Sequence, residues 1–200
     1  MASTSREPRL IIINGPPASG KSTLGQQIAA GLGVPYLSKD DIKEEMYDSL
    51  GKIERAISRK LGETAMRLMY TVAGQILESG HGVVIEANFY KGISENDLSR
   101  LIAVSDAVMV HCTAPPEELT ERYVERAETG ERHPVHDDGS KVDDLEKELE
   151  EGTYEPLDLG IPLILVDTTE DFSPSVAEIL SRLRERPTTS DSPEMTRQRP

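Results

Sequence analysis

The sequence is poor in cysteine and in aromatic residues. Cys112 is its single cysteine, tryptophan is absent, and aromatic residues make up 4% of the chain. One cysteine excludes a disulfide within the chain and fits the reducing conditions of the cytoplasm. No hydrophobic run approaches the length of a membrane span, and residues 1–8 lack the apolar core of a signal peptide. We therefore expect a cytoplasmic protein that does not enter a membrane.

Positive charge is also scarce, since 22 Lys and Arg residues face 36 Asp and Glu residues and the net charge is −14. Such a surface repels phosphate backbones, which argues against nucleic acid as a general partner. The 200 residues suit one domain with its own core. We expect this domain at residues 10–186, after a polar arm at 1–9 and before a disordered tail at 187–200.

The most informative stretch is Gly15–Ser22, which matches the pattern G-x-x-x-x-G-K-[ST]. The apolar run Leu10–Ile13 before it predicts a buried strand, and apolar residues at helical spacing follow it. A phosphate-binding loop has this position, between a strand and a helix. Its glycines let the backbone approach a phosphate, and its N–H groups together with the helix start attract the anion.

This loop predicts a nucleoside triphosphate and Mg²⁺ as ligands. Lys21 is expected to reach the β- and γ-phosphates and to serve catalysis, and the Ser22 hydroxyl is expected to bind Mg²⁺. We assign nucleotide binding to the whole loop and to the residue after it, namely Gly15, Pro16, Pro17, Ala18, Ser19, Gly20, Lys21, Ser22 and Thr23.

Apolar runs and helical patterns alternate along the rest of the chain. The runs predict five strands, and the longest helical pattern spans residues 52–79. This alternation predicts an α/β fold of the P-loop NTPase type, with a five-stranded parallel sheet and helices on both of its faces. The active site of such a fold lies at the carboxyl ends of the strands. The strands are expected at residues 10–13, 34–38, 83–87, 107–112 and 163–166.

Acidic residues follow the second and third predicted strands. A carboxylate after the second strand can accept the proton of an attacking hydroxyl or join the Mg²⁺ shell. We assign Asp40 as the general base and Asp41 to substrate contact. The alternative is that both aspartates only stabilise a helix start, where the positive end of the helix dipole favours acidic residues. Glu86 and Asn88 close the third strand and share a side, so we assign both to the substrate and Glu86 also to Mg²⁺. A solvated strand end is the alternative for this pair.

Three arginines predict a phosphate clamp on a lid at about residues 115–140. Arg122 and Arg126 share one helix face, and Arg132 follows in a loop. Guanidinium groups bind phosphate bidentately, so we assign Arg126 and Arg132 to catalysis and Arg122 to nucleotide binding. Pairing with neighbouring glutamates of the same helix is the alternative.

Two histidines, His133 and His136, flank Pro134 and Val135 in the same loop. A metal site is one interpretation, but no cysteine pair accompanies them, and His111 belongs to a strand that we expect to be buried. We favour contact with substrate for His133 and an ordinary loop position for His136.

With these motifs the chain resembles the small bacterial P-loop kinases that use ATP. This group includes chloramphenicol phosphotransferase, zeta toxins, gluconate and shikimate kinases and the kinase module of polynucleotide kinases; the likeness is greatest to uncharacterised kinases that carry the label AAA family ATPase. It covers residues 10–169 and rests on residues 15–22, 38–42, 86–88 and 122–136.

The resemblance implies a general base at Asp40, because the first aspartate of an Asp-Asp pair has this role in polynucleotide kinases. It also implies contact of the donor phosphates with Arg126 and with Arg122 or Arg132. Asn88 matches an asparagine that is common after the third strand. Glu86 departs from the aspartate that several relatives have at its position.

These features together predict an ATP- and Mg²⁺-dependent phosphotransferase that moves the γ-phosphate to a hydroxyl of a small molecule. An Asn-Lys-x-Asp guanine motif is absent from the sequence, which favours ATP over GTP as donor. We expect a monomer or a homodimer. A polynucleotide 5′-hydroxyl kinase is one alternative, and a regulatory ATPase without an acceptor is another.

Overall fold

A computed structural model describes residues 7–51, 55–129, 133–136 and 142–185. Arg132, the predicted tail at 187–200 and most of the predicted N-terminal arm therefore lie outside the described residues. Within the described ranges, every helix falls short of the length or the hydrophobicity that crossing a membrane requires.

The centre of the fold is a five-stranded sheet in which all strands are parallel, in the order β2-β3-β1-β4-β5. This confirms the predicted α/β fold with its five-stranded parallel sheet. The first strand lies in the middle, so the loop that follows it emerges near the centre of the carboxyl edge. The strands are β1 Arg9–Asn14, β2 Tyr36–Ser38, β3 Val83–Glu86, β4 Asp106–Thr113 and β5 Leu163–Asp167.

Helices cover both faces of the sheet. Alternate residues of β1 divide the core in two, because successive side chains of a strand point to opposite faces. Leu10 and Ile12 pack on one side and Ile11 and Ile13 on the other, and all four are fully buried. The helices are α1 Lys21–Leu32, α2 Lys39–Leu50, α3 Arg55–Glu78, α4 Glu95–Ile102, α5 Pro116–Thr129, α6 Val142–Glu150 and α7 Val176–Arg184.

The longest helix, α3, continues through Gly62 and Gly74 without a break. A glycine in a helix interior costs about 1 kcal/mol relative to alanine. Burial of one face of α3 offsets this cost: Ala65, Met69 and Ala73 are fully buried, and the last two pack against the sheet. The predicted start at residue 52 falls among residues 52–54, which are not described.

The last helix begins later than its predicted start at residue 173. The backbone of Ser173 instead pairs with Asp167 at the end of β5, through N–H···O bonds of 2.8 and 2.9 Å. Ser175 then caps α7 in a reciprocal arrangement with Glu178. The intervening loop places Phe172 next to Gly20, since a Cβ added to this glycine would lie 3.4 Å from the Phe172 ring. The loop after β5 thus lies beside the loop after β1.

Candidate active site

The loop between β1 and α1 has a backbone that glycine makes possible. Gly15 has a φ of 141°, and a Cβ added there would lie 2.3 Å from the carbonyl oxygen of Cys112. Any other residue at this position would collide with the β4 backbone. Gly20 and Ala18 also have positive φ values, of 74° and 61°. Such turns direct successive N–H groups to one side and form a concave site for anions.

Polar side chains complete this loop. Ser19 is fully buried, and its Oγ has no hydrogen-bond partner among the described residues. Lys21 is 6% exposed and its Nζ donates to the Pro16 carbonyl oxygen at 2.6 Å. A buried hydroxyl without a partner costs free energy, which a phosphate oxygen bound in the loop would offset. The loop therefore fits a phosphate group.

Glu86, at the end of β3, accepts hydrogen bonds from three hydroxyl groups at its Oε2 atom. Ser38 Oγ, Tyr36 OH and Ser22 Oγ donate to it at 3.1, 3.2 and 3.4 Å. The side chain is 4% exposed. Burial raises the pKa of Glu86; the positive charge of Lys21 opposes this rise and the negative charge of Asp40 adds to it. The strand end is therefore not a solvated one.

Tyr36 and Ser38 were not among the predicted site residues, although they belong to the site through Glu86. Both lie on β2, whose register sets Ser38 beside Glu86. Burial and then the charge of Glu86 raise the pKa of the Tyr36 hydroxyl, so Tyr36 acts as a donor. Their alternation on a short strand indicates that they share one face of it, but their place beside Glu86 depends on the strand register, which the sequence does not show.

Asp40 lies in the first turn of α2, which Ser38 caps by accepting a hydrogen bond from the Asp41 N–H at 3.4 Å. Lys39 Nζ donates to Asp40 Oδ1 at 2.8 Å. Asp41 is exposed. Partial burial and the charge of Asp40 raise the pKa of Asp41. Asp40 faces the cleft described next, whereas Asp41 is not among its lining residues, and contact of Asp41 with substrate stays a prediction.

One cleft at the carboxyl edge of the sheet collects most of the predicted site residues. It combines the loop after β1 with the acids and amide after β2 and β3 and with two arginines of α5. Of the predicted nucleotide-binding residues, Gly15 and Pro16 are not among the residues that line it. The lining residues are Pro17, Ala18, Ser19, Gly20, Lys21, Ser22, Thr23, Asp40, Glu86, Asn88, Arg122 and Arg126.

The two arginines of the cleft have different surroundings. Arg122 Nε donates to Glu118 Oε1 at 2.8 Å, and another nitrogen of its guanidinium donates to the Thr169 carbonyl oxygen at 2.7 Å. It therefore pairs with a helix neighbour and also fixes the loop after β5. The guanidinium of Arg126 lies over the Tyr123 ring, 5.3 Å from its centre. Arg132, the third predicted arginine, lies outside the described residues.

His136 belongs to a short 3-10 turn, Pro134–His136, that lies against α2. His133, just before the turn, is 2.9 Å from Asp48 Oδ1 through its Nε2 and packs edge-on against Tyr47. It is not among the lining residues of the cleft, and its contact with substrate stays a prediction. His136 is 4% exposed, which differs from the ordinary loop position that we expected.

A matched spacing was the available signal for His136. Glu44 and Asp48 are four residues apart on α2, and they pair with His136 and His133, which are three apart. Residues four apart share a helix face, so the two acids present one face to the turn.

The comparisons with known proteins agree with this fold. Residues 10–151 match the model of the AAA_33 family, described as AAA domain, which covers well over half of the chain. The chain belongs to this family. A crystal structure of a proposed kinase from Chloroflexus aurantiacus J-10-fl has a TM-score of 0.77 at 36% identity and covers 90% of this chain and 98% of that one.

Two named kinases are also similar to this AAA-domain protein. The shikimate kinase of Paracidovorax citrulli is 31% identical over 151 residues, which are 70% of this chain and 73% of that enzyme. A gluconokinase from Sinorhizobium meliloti 1021 shares the fold, with a TM-score of 0.52 at 22% identity over 90% of this chain and 93% of that one. The protein is therefore a small P-loop kinase by family and fold, which confirms the resemblance found in the sequence.

The donor set of the cleft suits Mg²⁺ that arrives with a nucleotide. The described residues contain no group of three or more His, Cys, Asp or Glu side chains arranged for a metal ion. Mg²⁺ at nucleotide sites needs less, because phosphates and water fill most of its coordination positions. Ser22 and Glu86 carry oxygen atoms of the hard kind that Mg²⁺ prefers, and their side chains are in contact.

Proposed function

We propose that this AAA-domain protein is an ATP-dependent phosphotransferase that moves the γ-phosphate to a hydroxyl group of a small molecule. The observation that carries this proposal is the shared cleft of Lys21, Ser22, Asp40 and Arg126. A phosphate loop alone indicates nucleotide binding. A carboxylate and a guanidinium that face the same cleft add the two groups that phosphoryl transfer needs beyond binding.

On the donor side, the loop amides and Lys21 would hold the triphosphate of ATP. Ser22 and Glu86 would hold Mg²⁺, which supplies positive charge against the β- and γ-phosphate oxygens when it is bound. The hydroxyls of Tyr36 and Ser38 orient the Glu86 carboxylate. These contacts would assign Glu86 to the metal first and to the substrate second.

On the acceptor side, Asp40 would accept the proton of the acceptor hydroxyl. A bond forms between the acceptor oxygen and the γ-phosphorus, the bond from this phosphorus to the bridging oxygen of ADP breaks, and the proton moves to the Asp40 carboxylate. Arg126, together with Arg132, would stabilise the charge on the transferred group. Asn88 lines the same cleft and would bind the acceptor.

The charge of the chain favours a small acceptor over a nucleic acid. The net charge of −14 opposes binding to a phosphate backbone, whereas a small polyol or sugar carries no such charge. The names of the shikimate kinase and the gluconokinase point to small acceptors with several hydroxyl groups, which in those two enzymes also carry one carboxylate.

The test is a screen of alcohols, sugars, nucleosides and antibiotics for stimulated ADP release with Mg²⁺·ATP. We expect one chemical class to stimulate release and to appear as a phosphate ester in phosphorus NMR, and Lys21→Ala to show neither effect. An oligonucleotide labelled at its 5′ end at ordinary salt would favour a polynucleotide kinase instead. Tight ATP binding without stimulation by any acceptor would favour a regulatory ATPase.

A further inference from the structure

The turn Pro134–His136 is fixed to two helices by contacts that the proposed mechanism does not use. The carbonyl oxygen of Val135 accepts hydrogen bonds from Lys43 Nζ at 3.3 Å and from Ser58 Oγ at 3.1 Å. Lys43 is 7% exposed and Val135 is 4% exposed. Burial of the Lys43 ammonium group costs free energy unless the group has a polar partner, and the Val135 carbonyl oxygen is one such partner. The backbone of the turn therefore has a defined place beside α2.

His136 extends from this turn to the start of α2 and lies between two carboxylates. Its Nε2 is 2.7 Å from Glu44 Oε1, which is a hydrogen-bond distance. Its Nδ1 is 4.0 Å from Asp40 Oδ1. The side chain of His136 is 6% exposed, so little water separates the ring from these groups. Asp40 Oδ1 is also the atom that Lys39 Nζ contacts at 2.8 Å.

We propose that His136 is a positioning residue for Asp40, an inference that rests on the proposed role of Asp40 as the general base. The bond to Glu44 fixes the rotation of the ring, and the docked turn fixes its backbone, so Nδ1 is held at one place beside Oδ1. At 4.0 Å the contact exceeds hydrogen-bond length and acts as a charge–dipole or charge–charge interaction in a poorly solvated site.

His136 and Lys39 both lie next to the same oxygen, Oδ1, of the Asp40 carboxylate. A general base works only when its carboxylate is within reach of the proton in one geometry, and small displacements of such a group are costly. Loss of the His136 contact would leave the carboxylate in place but allow it to rotate. The expected defect is thus in turnover and not in ATP binding.

Two substitutions separate the contact with Asp40 from the contact with Glu44. His136→Asn keeps a polar group near the position of Nδ1, whereas His136→Gln keeps one near the position of Nε2. We measure ADP release from Mg²⁺·ATP with water as the acceptor, so the identity of the natural acceptor is not needed. His136→Gln is expected to lower kcat roughly tenfold, less than the hundredfold or more that a general base contributes. His136→Asn should retain most of the wild-type kcat, and the KM for ATP should stay within about twofold in both variants.

A matched pair on α2 provides the control and does not depend on replacing a buried residue. Glu44→Ala and Asp48→Ala each remove the carboxylate partner of one histidine, His136 or His133, from the same helix face. Glu44→Ala should lower kcat several-fold, whereas Asp48→Ala should leave it unchanged. If the His136 variants fail to fold, this pair decides the question.

The outcomes distinguish this inference from the proposed function. An Asp40→Asn variant that releases ADP at the wild-type rate would overturn the role of Asp40 as the general base and, with it, the positioning role of His136, whereas the acceptor screen would still test the proposed function. A slow Asp40→Asn variant alongside wild-type rates in the His136 and Glu44 variants would overturn only the positioning role. A better rate for His136→Gln than for His136→Asn would also overturn it, because docking through Glu44 would then explain the defect.

Discussion

Backbone atoms form the phosphate side of the cleft, and side chains from α5 and the turn Pro134–His136 fix the opposite side. We call this opposite side the lid side after the lid that the sequence predicts. On the phosphate side, Gly15 is pressed against the β4 backbone, and residues 15–23 are consecutive in the chain. On the lid side, Arg122 reaches the loop after β5 and His136 reaches α2 from far along the sequence. Substitutions on the first side are therefore expected to remove nucleotide binding or catalysis outright, and those on the second to change rates in graded steps.

The largest expected effect belongs to the phosphate side. Lys21→Ala removes a buried ammonium group from the loop, and we expect phosphoryl transfer to fall by roughly a hundred- to a thousandfold or more, to the limit of detection. The fold should persist, because the side chain bonds to the loop carbonyl of Pro16 and is not part of the hydrophobic core. ADP release and thermal melting check the two statements. Lys91→Ala, which removes a surface lysine paired with Glu155, is the control; wild-type turnover in Lys21→Ala would end the proposal.

The two arginines of the lid side are expected to affect different kinetic parameters. Arg126→Ala is expected to lower kcat about a hundredfold, since it removes charge that stabilises the transferred group. Arg122→Ala is expected to raise the KM for ATP about tenfold with little change in kcat, because Arg122 braces the loop after β5 through Thr169. Steady-state kinetics over a range of ATP concentrations separates the two parameters. Equal effects of both variants on kcat would contradict the division.

The same contrast explains what the sequence predicted. The sheet and the phosphate loop depend on local patterns: β-branched runs such as Leu10–Ile13 and glycines at fixed spacing. The cleft residues after β2 and β3 were predictable because the carboxyl ends of parallel strands meet at one edge. The side chains that orient them, Tyr36 and Ser38, required the strand register, which no local pattern contains.

The position of the turn Pro134–His136 was less predictable than that of the phosphate loop, for a physical reason. His136 is buried because the turn docks through Lys43 and Ser58, which are more than seventy residues away along the chain. The loop itself, with Pro, His and Asp, has no periodicity that indicates such burial, and the matched spacing of Glu44 and Asp48 indicates a pairing only when α2 is known to lie beside the turn. Contacts of this kind depend on tertiary packing, so sequence reasoning assigned His136 to an ordinary loop.

A smaller effect concerns Glu86, where function and stability are expected to oppose each other. Burial raises the pKa of Glu86 above its ordinary value of 4.5, so the folded state favours the protonated form. Its stabilising contribution is therefore present below pH 4.5 and is lost as the pH rises through the folded-state pKa. Glu86→Gln should melt at a higher temperature than the wild type at pH 7, and the difference should shrink toward pH 4.5.

The same variant tests the proposed metal role of Glu86. Mg²⁺·ATP should raise the melting temperature of Glu86→Gln less than that of the wild type, because the neutral amide is a weaker ligand, and turnover should fall about tenfold. Glu155→Gln, at an exposed site, is the control for the substitution itself. An equal shift of the melting temperature by Mg²⁺·ATP in both proteins would assign Glu86 to the substrate instead.

The smallest expected effect has the opposite sign and lies behind the phosphate loop. His111 on β4 is 3% exposed, and burial, followed by the charge of Lys21, lowers its pKa to about 4 from 6.5. Its folded-state pKa is depressed, so its contribution to stability is present above pH 6.5 and is lost as the pH falls toward 4. His111→Leu should therefore reduce the loss of melting temperature between pH 7 and pH 5 by a few degrees. His81→Leu, at an exposed position, is the control. The same acid sensitivity in His111→Leu as in the wild type would contradict this role of His111.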